Sequence, residues 1–252
     1  MKTITFALQK GGTGKTSIST SIAVELASMG KKTLLIDCDP QGNATSWILD
    51  SDASIGMELS DVLMEKCSPE EALMETKVEN LFLIPTASLG GTLRLYQKTL
   101  AVEQPFAIKH LIKSFTSFSF DFAIIDTSPS FGALEEASFL ASSEALAVLN
   151  IDEFSKDGLI IFLDNLNKLK RRYDSDLPVV NKIILNGKDN RLMQQDHIVE
   201  QISTSLPNCQ TFIVPVEQSF KKAQTIHHPI QALQGVKKET LSVISEITKS
   251  IL

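Results

Sequence analysis

The chain has 252 residues, of which 43% are hydrophobic and 21% are charged. This composition is typical of a globular protein and excludes a disordered, collagen-like or coiled-coil chain. With 24 Lys and Arg against 30 Asp and Glu, the net charge is −6, so any contact with nucleic acid must come from a local basic patch or from an oligomer. The length suits an α/β protein, and we expect one domain over residues 1–252.

The cysteines and the N-terminus indicate the cellular compartment. The three cysteines, Cys38, Cys67 and Cys209, have no CxxC spacing, which argues against a disulfide framework and against a zinc site. The first residues lack the long apolar core of a signal peptide, and no run of about 18 apolar residues occurs. A cytoplasmic protein is therefore expected.

The pair His227-His228 is more typical of a polar loop than of a metal site.

Short apolar runs alternate along the chain with amphipathic stretches of helical length. The runs predict strands at residues 4–8, 33–36, 81–84, 120–125, 145–151, 179–185 and 212–214. The amphipathic stretches predict helices at residues 15–29, 69–75, 106–115, 132–141, 156–172, 192–204 and 237–251. This alternation predicts an α/β fold with a doubly wound, mostly parallel sheet and helices on both faces. Ligands of such sheets bind beyond the carboxyl ends of the strands, so site residues are expected there.

A glycine-rich segment, KGGTGKTS at residues 10–17, connects the first predicted strand to the first predicted helix. Its glycines allow backbone N–H groups to face phosphate oxygens, and the helix N-terminus adds partial positive charge. Lys15 is expected to reach the β- and γ-phosphates, and the Thr16 hydroxyl is expected to ligate Mg²⁺. The predicted phosphate-binding residues are Lys10, Gly11, Gly12, Thr13, Gly14, Lys15, Thr16 and Ser17.

Carboxylates follow two further apolar runs. Asp37 and Asp39 come after the run at residues 33–36, and residues i and i+2 of a strand face the same side, so the two carboxylates are expected to converge beside the phosphates. Asp126 follows four apolar residues, as a Walker B aspartate does when it is directed at Mg²⁺ or its water shell. The three segments together predict a phosphate-loop (P-loop) nucleotide hydrolase.

Two of these motifs resemble those of a known family. KGGTGKT resembles the deviant Walker A motif of the ParA/MinD ATPases, and LLIDCDPQGN at residues 34–43 resembles their LLIDxDPQGN motif. The resemblance implies that Lys10 reaches across a dimer to the nucleotide of the facing subunit. It also implies that Asp39 positions or polarises the attacking water and that Asp37 supports the Mg²⁺ shell. In one departure from the family, Ser128 stands where the first of two prolines usually follows the Walker B aspartate.

Later segments extend the resemblance over most of the chain. Residues 148–159 resemble the family's strand and helix entry, and Asn186 stands where the family has an asparagine that reads adenine. Residues 214–230 resemble the segment that closes over the base, which implies a nucleotide contact at Pro215. Because residue 1 begins almost directly on the first strand, we expect no N-terminal DNA-binding domain of the kind that longer ParA proteins carry.

Three functions are compatible with the resemblance. The first is a ParA-type partition ATPase, which forms an ATP-dependent homodimer, binds DNA non-specifically on the nucleoid and hydrolyses ATP slowly until a ParB-like partner stimulates it. The second is a MinD-like ATPase that docks on membranes. The third is a small-molecule ligase on the same fold, of the dethiobiotin synthetase kind. The sequence DPQGNA at residues 39–44 is typical of partition proteins, and we find no added substrate motif, so the first function is preferred.

The termini and the basic clusters bear on membrane and DNA binding. Residues 240–252 place Leu241, Ile244, Ile247 and Ile251 on one stripe without an aromatic anchor, which predicts packing on the sheet rather than membrane docking. The family's DNA-contacting arginine positions hold Val216 and Ser219 here, so the nearby pair Lys221 and Lys222 is the first candidate for DNA contact. The alternatives left open are Lys168, Lys170, Arg171, Arg172, Lys237 and Lys238.

Overall fold

An eight-stranded sheet runs through the computed structural model, which describes residues 1–8, 10–87, 91–173 and 177–252. Its strand order is β3-β4-β2-β5-β1-β6-β7-β8. All neighbouring strands are parallel except β3 and β4, which are antiparallel. The predicted doubly wound, mostly parallel sheet is therefore confirmed. The strands are β1 (Lys2–Ala7), β2 (Thr33–Cys38), β3 (Met74–Glu75), β4 (Leu81–Ile84), β5 (Phe122–Thr127), β6 (Glu144–Asn150), β7 (Val179–Lys188) and β8 (Gln210–Pro215).

Helices connect the strands and cover the sheet. In chain order they are α1 (Lys15–Ser28), α2 (Asn43–Ile48), α3 (Leu59–Leu63), α4 (Pro69–Ala72), α5 (Thr92–Thr99), α6 (Ala107–Ser114), α7 (Ala133–Ala141), α8 (Ser155–Tyr173), α9 (Met193–Ser205), α10 (Ser219–Thr225) and α11 (Lys238–Ser250). Two short 3₁₀ helices cover Phe115–Phe118 and Ile230–Ala232.

The central strands β1, β2, β5 and β6 are buried on both faces, which explains their continuous apolar runs. In β2, Leu35 packs into the core formed with α1, α2, α10 and α11, whereas Leu34 and Ile36 pack into a second core with α3, α5, α6 and α7. A third core joins β1, β6 and β7 to α7, α8 and α9. The alternation along β2 also directs Asp37 to the α1 side of the sheet, because side chains two residues apart share a face.

The predicted helix at residues 69–75 is wrong in its second half. Its start has the expected capping box, in which the Ser68 N–H donates to Glu71 Oε2 at 2.7 Å. The helix ends at Ala72, and Met74 and Glu75 form β3, with Met74 paired to Leu83. Pairing along the sheet edge therefore overrides the local helical preference of this segment. The helices α2, α3, α5 and α10, of five to eight residues each, were not predicted, because a segment of about two helical turns or fewer has few positions from which a helical repeat can be read.

The C-terminal helix packs as predicted. Ile244, Ile247 and Ile251 are buried where α11 lies against α1 and β8, although Leu241 is only partly buried. The stripe that could have served as a membrane anchor is thus used within the fold. Among the described residues, no helix has the length and apolar character needed to cross a membrane.

Candidate active site

The glycine-rich loop lies between β1 and α1, at the carboxyl edge of the sheet. Gly12 and Gly14 have φ values of 73° and 87°, a region that L side chains rarely adopt. At Gly14 the constraint is also steric, since a Cβ there would lie 2.2 Å from Asn186 Nδ2. The Asn186 side chain is held in this position because its Nδ2 donates to the Thr13 carbonyl at 2.9 Å. The loop therefore needs glycine at residue 14 both for its backbone conformation and for the close approach of Asn186.

A cavity of about 400 Å³ opens in front of this loop. It brings together segments that are far apart in the sequence, because the strands that carry them end at the same edge of the sheet. Its lining residues are Gly12, Thr13, Gly14, Lys15, Thr16, Ser17, Asp39, Gln41, Asn43, Thr127, Pro129 and Gln224.

Lys15 is held at the base of the cavity. Its Nζ donates to the carbonyls of Leu8 and Lys10, each at 3.1 Å. Burial lowers the pKa of Lys15, whereas the negative charges of Asp126 and Asp39 act in the opposite direction. The ammonium group is thus held against the loop backbone, at the position from which a lysine of this motif contacts phosphates.

Asp126 anchors the first turn of α1. Its Oδ2 accepts from Thr16 Oγ1 at 2.7 Å, and its Oδ1 accepts from Ser19 Oγ at 2.9 Å. Burial raises the pKa of Asp126, although the hydrogen bonds from Thr16 and Ser19 oppose this effect. The structure therefore brings together Thr16 and Asp126, as the sequence predicted. The sequence did not lead us to Ser19, although its position one helical turn after Thr16 places the two hydroxyls on the same face of α1.

Asp37 lies beside Asp126 in the sheet but behind the cavity. The two residues are paired in the register of β2 and β5, and Asp37 is completely buried. Its Oδ2 accepts from the Thr45 N–H at 2.8 Å and from Thr45 Oγ1 at 2.7 Å. Burial, together with the neighbouring Asp126 carboxylate, raises the pKa of Asp37. Asp37 thus fixes the N-terminus of α2, a role that the sequence did not reveal.

Asp39, two residues further on, lines the cavity itself. Its Oδ1 accepts from the Gln41 N–H at 2.9 Å. Burial raises the pKa of Asp39, while the Gln41 hydrogen bond and the charge of Lys15 oppose this effect. The two carboxylates that were expected to converge are therefore separated in depth: Asp39 faces the cavity and Asp37 supports the structure behind it.

Asn186 and Pro215 lie outside the wall of the phosphate-loop cavity. Asn186 contacts the loop through Thr13, whereas Pro215 lines a second cavity of about 560 Å³ with Lys188 and the segment at residues 216–219. Of the two predicted base contacts, Asn186 therefore holds the phosphate loop and Pro215 lines the second cavity.

Lys10 points away from the phosphate-loop cavity. Its Nζ pairs with Asp152 Oδ2 at 2.5 Å, at the start of the segment that leads into α8. Gln9, which precedes it, lies outside the described residues. Lys10 and Asp152 are 142 positions apart, and the sequence reasoning that singled out Lys10 did not predict its partner.

The candidate DNA contacts lie on α10. Lys221 and Lys222 are exposed, and no ion-pair partner is found for either lysine within the described residues. The alternative clusters are partly paired, since Lys168 contacts Asp164 at 2.6 Å and Arg172 contacts Glu136 at 3.1 Å. Helix α10 also borders the site, because Gln224 lines the phosphate-loop cavity.

The fold and the loop define a class of protein. A parallel sheet whose first strand leads through a glycine-rich loop to a Lys-Thr helix start, with an aspartate from a neighbouring strand hydrogen-bonded to that threonine, is the architecture of P-loop nucleotide hydrolases.

Comparisons with known proteins identify the family within this class. A family model described as an AAA domain matches residues 1–179. The chromosome-partitioning ATPase Soj of Treponema pallidum is 32% identical over 206 residues, covering 81% of this chain and 78% of the relative. The chain belongs to the ParA/MinD family of ATPases.

Solved structures show the same fold. The ATP complex of a Cyanothece McdA variant superimposes with a TM-score of 0.86 at 22% identity, over 100% of this chain and 96% of that one. The septum site-determining protein MinD of Pyrococcus horikoshii, complexed with Mg-ADP, gives a TM-score of 0.78 at 19% identity, over 99% and 95% of the two chains.

Proposed function

We propose that the protein is a ParA-type partition ATPase that binds ATP with Mg²⁺, dimerises around the nucleotide and binds DNA without sequence preference. The observation that carries the proposal is the cavity in front of the phosphate loop, where the backbone cradle and the carboxylate of Asp39 meet. The 32% identity to a chromosome-partitioning ATPase supports the partition role. A ParB-like partner that stimulates hydrolysis, and a location on the nucleoid, follow from the same proposal.

The residues present suit a magnesium nucleotide. The glycine-rich loop presents its backbone to the cavity, and hydroxyl and carboxylate oxygens, which Mg²⁺ prefers, come from Thr16 and Asp126. Asp37 would add support from behind through the α2 N-terminus. Bound Mg²⁺ supplies positive charge that neutralises the phosphate oxygens. Lys15 would hold the β- and γ-phosphates, and Asp39 would orient the attacking water from the cavity wall.

ATP titration tests the phosphate loop. Lys15→Ala removes a charge-assisted contact worth roughly 1.5–3 kcal/mol, so the affinity for a fluorescent ATP analogue should fall ten- to over a hundredfold. Lys168→Ala is the matched control, because that lysine is exposed on α8 and paired with Asp164. Unchanged affinity in a folded Lys15→Ala variant would contradict the assignment.

The dimer depends on Lys10 in this proposal. Two facing nucleotides bring phosphate charges together, and a lysine that reaches across from each subunit offsets their repulsion. Lys10→Ala should therefore bind ATP as a monomer and fail to dimerise with a slowly hydrolysed analogue in sedimentation velocity. A normal dimer would remove Lys10 from the interface.

DNA binding is the part of the proposal that rests on α10. A chain with net charge −6 should bind DNA weakly as a monomer, and a dimer that presents two copies of Lys221 and Lys222 multiplies the phosphate contacts. DNA binding should require ATP, be independent of the DNA sequence and weaken steeply as the salt concentration rises. Replacing both lysines with Glu should abolish it and spare dimerisation, whereas Lys170→Glu with Arg171→Glu on α8 should have little effect. A dimer that does not bind DNA at low salt but sediments with anionic liposomes would overturn the partition role and indicate a MinD-like, membrane-docking ATPase instead.

A further inference from the structure

A buried carboxylate next to the phosphate loop has no part in the mechanism described so far. Glu135, in the first turn of α7, is 1% exposed. Burial lowers the pKa of Lys15 and raises that of Asp39; the charge of Glu135 opposes the first effect and adds to the second, so it acts electrostatically on the candidate active site. Burying a carboxylate is costly unless hydrogen bonds satisfy it. The hydrogen-bond donors around Glu135 therefore show which part of the structure this carboxylate holds in place.

The donors come from the loop that follows the Walker B strand. Glu135 Oε1 accepts from Ser128 Oγ and, at 2.9 Å, from Ser130 Oγ. Oε2 accepts from the Gly132 N–H at 2.8 Å, and Gln97 Nε2 of α5 approaches both oxygens at 3.3 Å. The Gly132 contact is the ordinary capping arrangement of a helix start. The two serine contacts go beyond a cap, because they reach back to the end of β5.

The two serines flank Pro129, which lines the phosphate-loop cavity together with Thr127. Pro129 lies directly over the phosphate loop, since a Cβ at Gly11 would be 4.0 Å from Pro129 Cβ. The Ser128 and Ser130 hydroxyl oxygens lie 2.8 Å apart, so with one proton each the two hydroxyls can both donate to Glu135, or one can donate to the other while that one donates to Glu135. One carboxylate thus fastens both sides of the residue that forms this part of the cavity wall.

We propose that Glu135 is a positioning residue for ATP hydrolysis, which holds the loop at residues 128–130 against the phosphate loop. Where the family resemblance leads one to expect two successive prolines, this chain has Ser128 followed by Pro129. A proline restricts the backbone through its ring; here the Ser128 hydroxyl provides the restraint through Glu135. The inference rests on the proposed ATPase function and adds a residue that none of the recognised motifs contains.

Steady-state kinetics and nucleotide binding of full-length variants test this role. Glu135→Gln keeps the size of the side chain, but one carboxylate oxygen becomes an NH₂ group that faces donors and cannot accept from them. A displaced loop should lower kcat about ten- to a hundredfold, with the Kd for ATP changed less than about threefold because the phosphate cradle and Lys15 remain. Glu136→Gln is the matched control, since the adjacent Glu136 pairs with Arg172 at the surface, and it should change neither constant.

Ser128→Ala is a second variant, which removes one hydroxyl donor and leaves the Glu135 carboxylate in place. Its kcat should also be lower than that of the wild type. If Glu135→Gln fails to fold, the kcat of Ser128→Ala tests the positioning role. An unchanged kcat in folded Glu135→Gln, or a lower kcat accompanied by a raised Kd for ATP and a lower melting temperature, would overturn the positioning role. Wild-type protein that neither binds nor hydrolyses ATP would instead show that the proposed function itself is wrong.

Discussion

Replacing Asp152 with Asn should strengthen ATP-dependent dimerisation, because it releases Lys10 from an ion pair within its own chain. Asp152 Oδ2 contacts the Lys10 ammonium, whereas Oδ1 accepts from the Phe154 N–H at 3.1 Å and from Ser155 Oγ at 3.0 Å. Asn keeps an oxygen for the two Oδ1 contacts and loses the charge at Oδ2. The local turn should therefore persist while the lysine becomes free to reach across the dimer.

The magnitude follows from the exposure of the pair. Both side chains are 36% exposed, and ion pairs in such positions contribute about 0.2–1 kcal/mol. A homodimer contains the pair twice, so the gain is about 0.4–2 kcal/mol, which corresponds to a roughly two- to thirtyfold lower dimer Kd. Burial raises the pKa of Asp152, but the hydrogen bonds from Lys10 and Ser155 outweigh it and leave the pKa below its usual value. The pair is therefore intact at neutral pH.

Analytical ultracentrifugation with a slowly hydrolysed ATP analogue measures the effect. Asp164→Asn is the control, because Asp164 forms a comparable exposed pair with Lys168 on α8, at 2.6 Å. That variant should dimerise like the wild type. A dimer of Asp152→Asn that is as weak as the wild type, or weaker, would refute the idea that Asp152 competes for Lys10.

Three further predictions concern the site, the core and the thiols. Asp39→Ala should still form the ATP dimer but hydrolyse ATP about a hundredfold or more slowly in single-turnover assays, and a wild-type rate would assign water positioning to another residue. Trp47→Ala should lower the free energy of unfolding by about 3–5 kcal/mol in urea titration, because the indole is buried and packs edge-on against Phe220 with ring centroids 6.4 Å apart; a loss below about 1 kcal/mol would mean that this packing contributes little. Burial raises the pKa of Cys38 well above that of an ordinary thiol, so a thiol reagent should label Cys67 in the folded protein and Cys38 only after unfolding, and equal labelling rates would contradict its burial.

The sequence predicts the parts of the site that are contiguous along the chain. Lys15 and Thr16 occupy fixed positions at a helix start, so their placement follows from the loop and helix geometry alone. The parallel sheet is likewise predictable, because strands covered on both faces must be apolar throughout. The alternation of β2 even predicts the face on which Asp37 lies, although not the depth at which it is buried.

Contacts that depend on strand order or on the path of a loop were not predictable from one sequence. Asp152 meets Lys10 because β6 lies beside β1 in the sheet, and Glu135 meets Ser128 because α7 folds back on the end of β5. Such pairings depend on strand order and on loop geometry, for which a local pattern gives no signal. For the same reason the short helix α10, which carries the exposed lysines, was seen as a basic segment and not as a helix.

The ends of the sheet have a consequence for behaviour at high local concentration. A long edge strand presents unpaired backbone groups that can recruit another chain and lead to aggregation. Here β3, at one end, contributes only two residues, and β8, at the other, finishes at Pro215, which has no N–H to donate. The β3 border is therefore too short to be a template for strand addition, and on β8 the backbone donors end at Pro215. If the protein has the proposed function and gathers in many copies along DNA, growth into fibres by strand addition at the β3 edge is disfavoured.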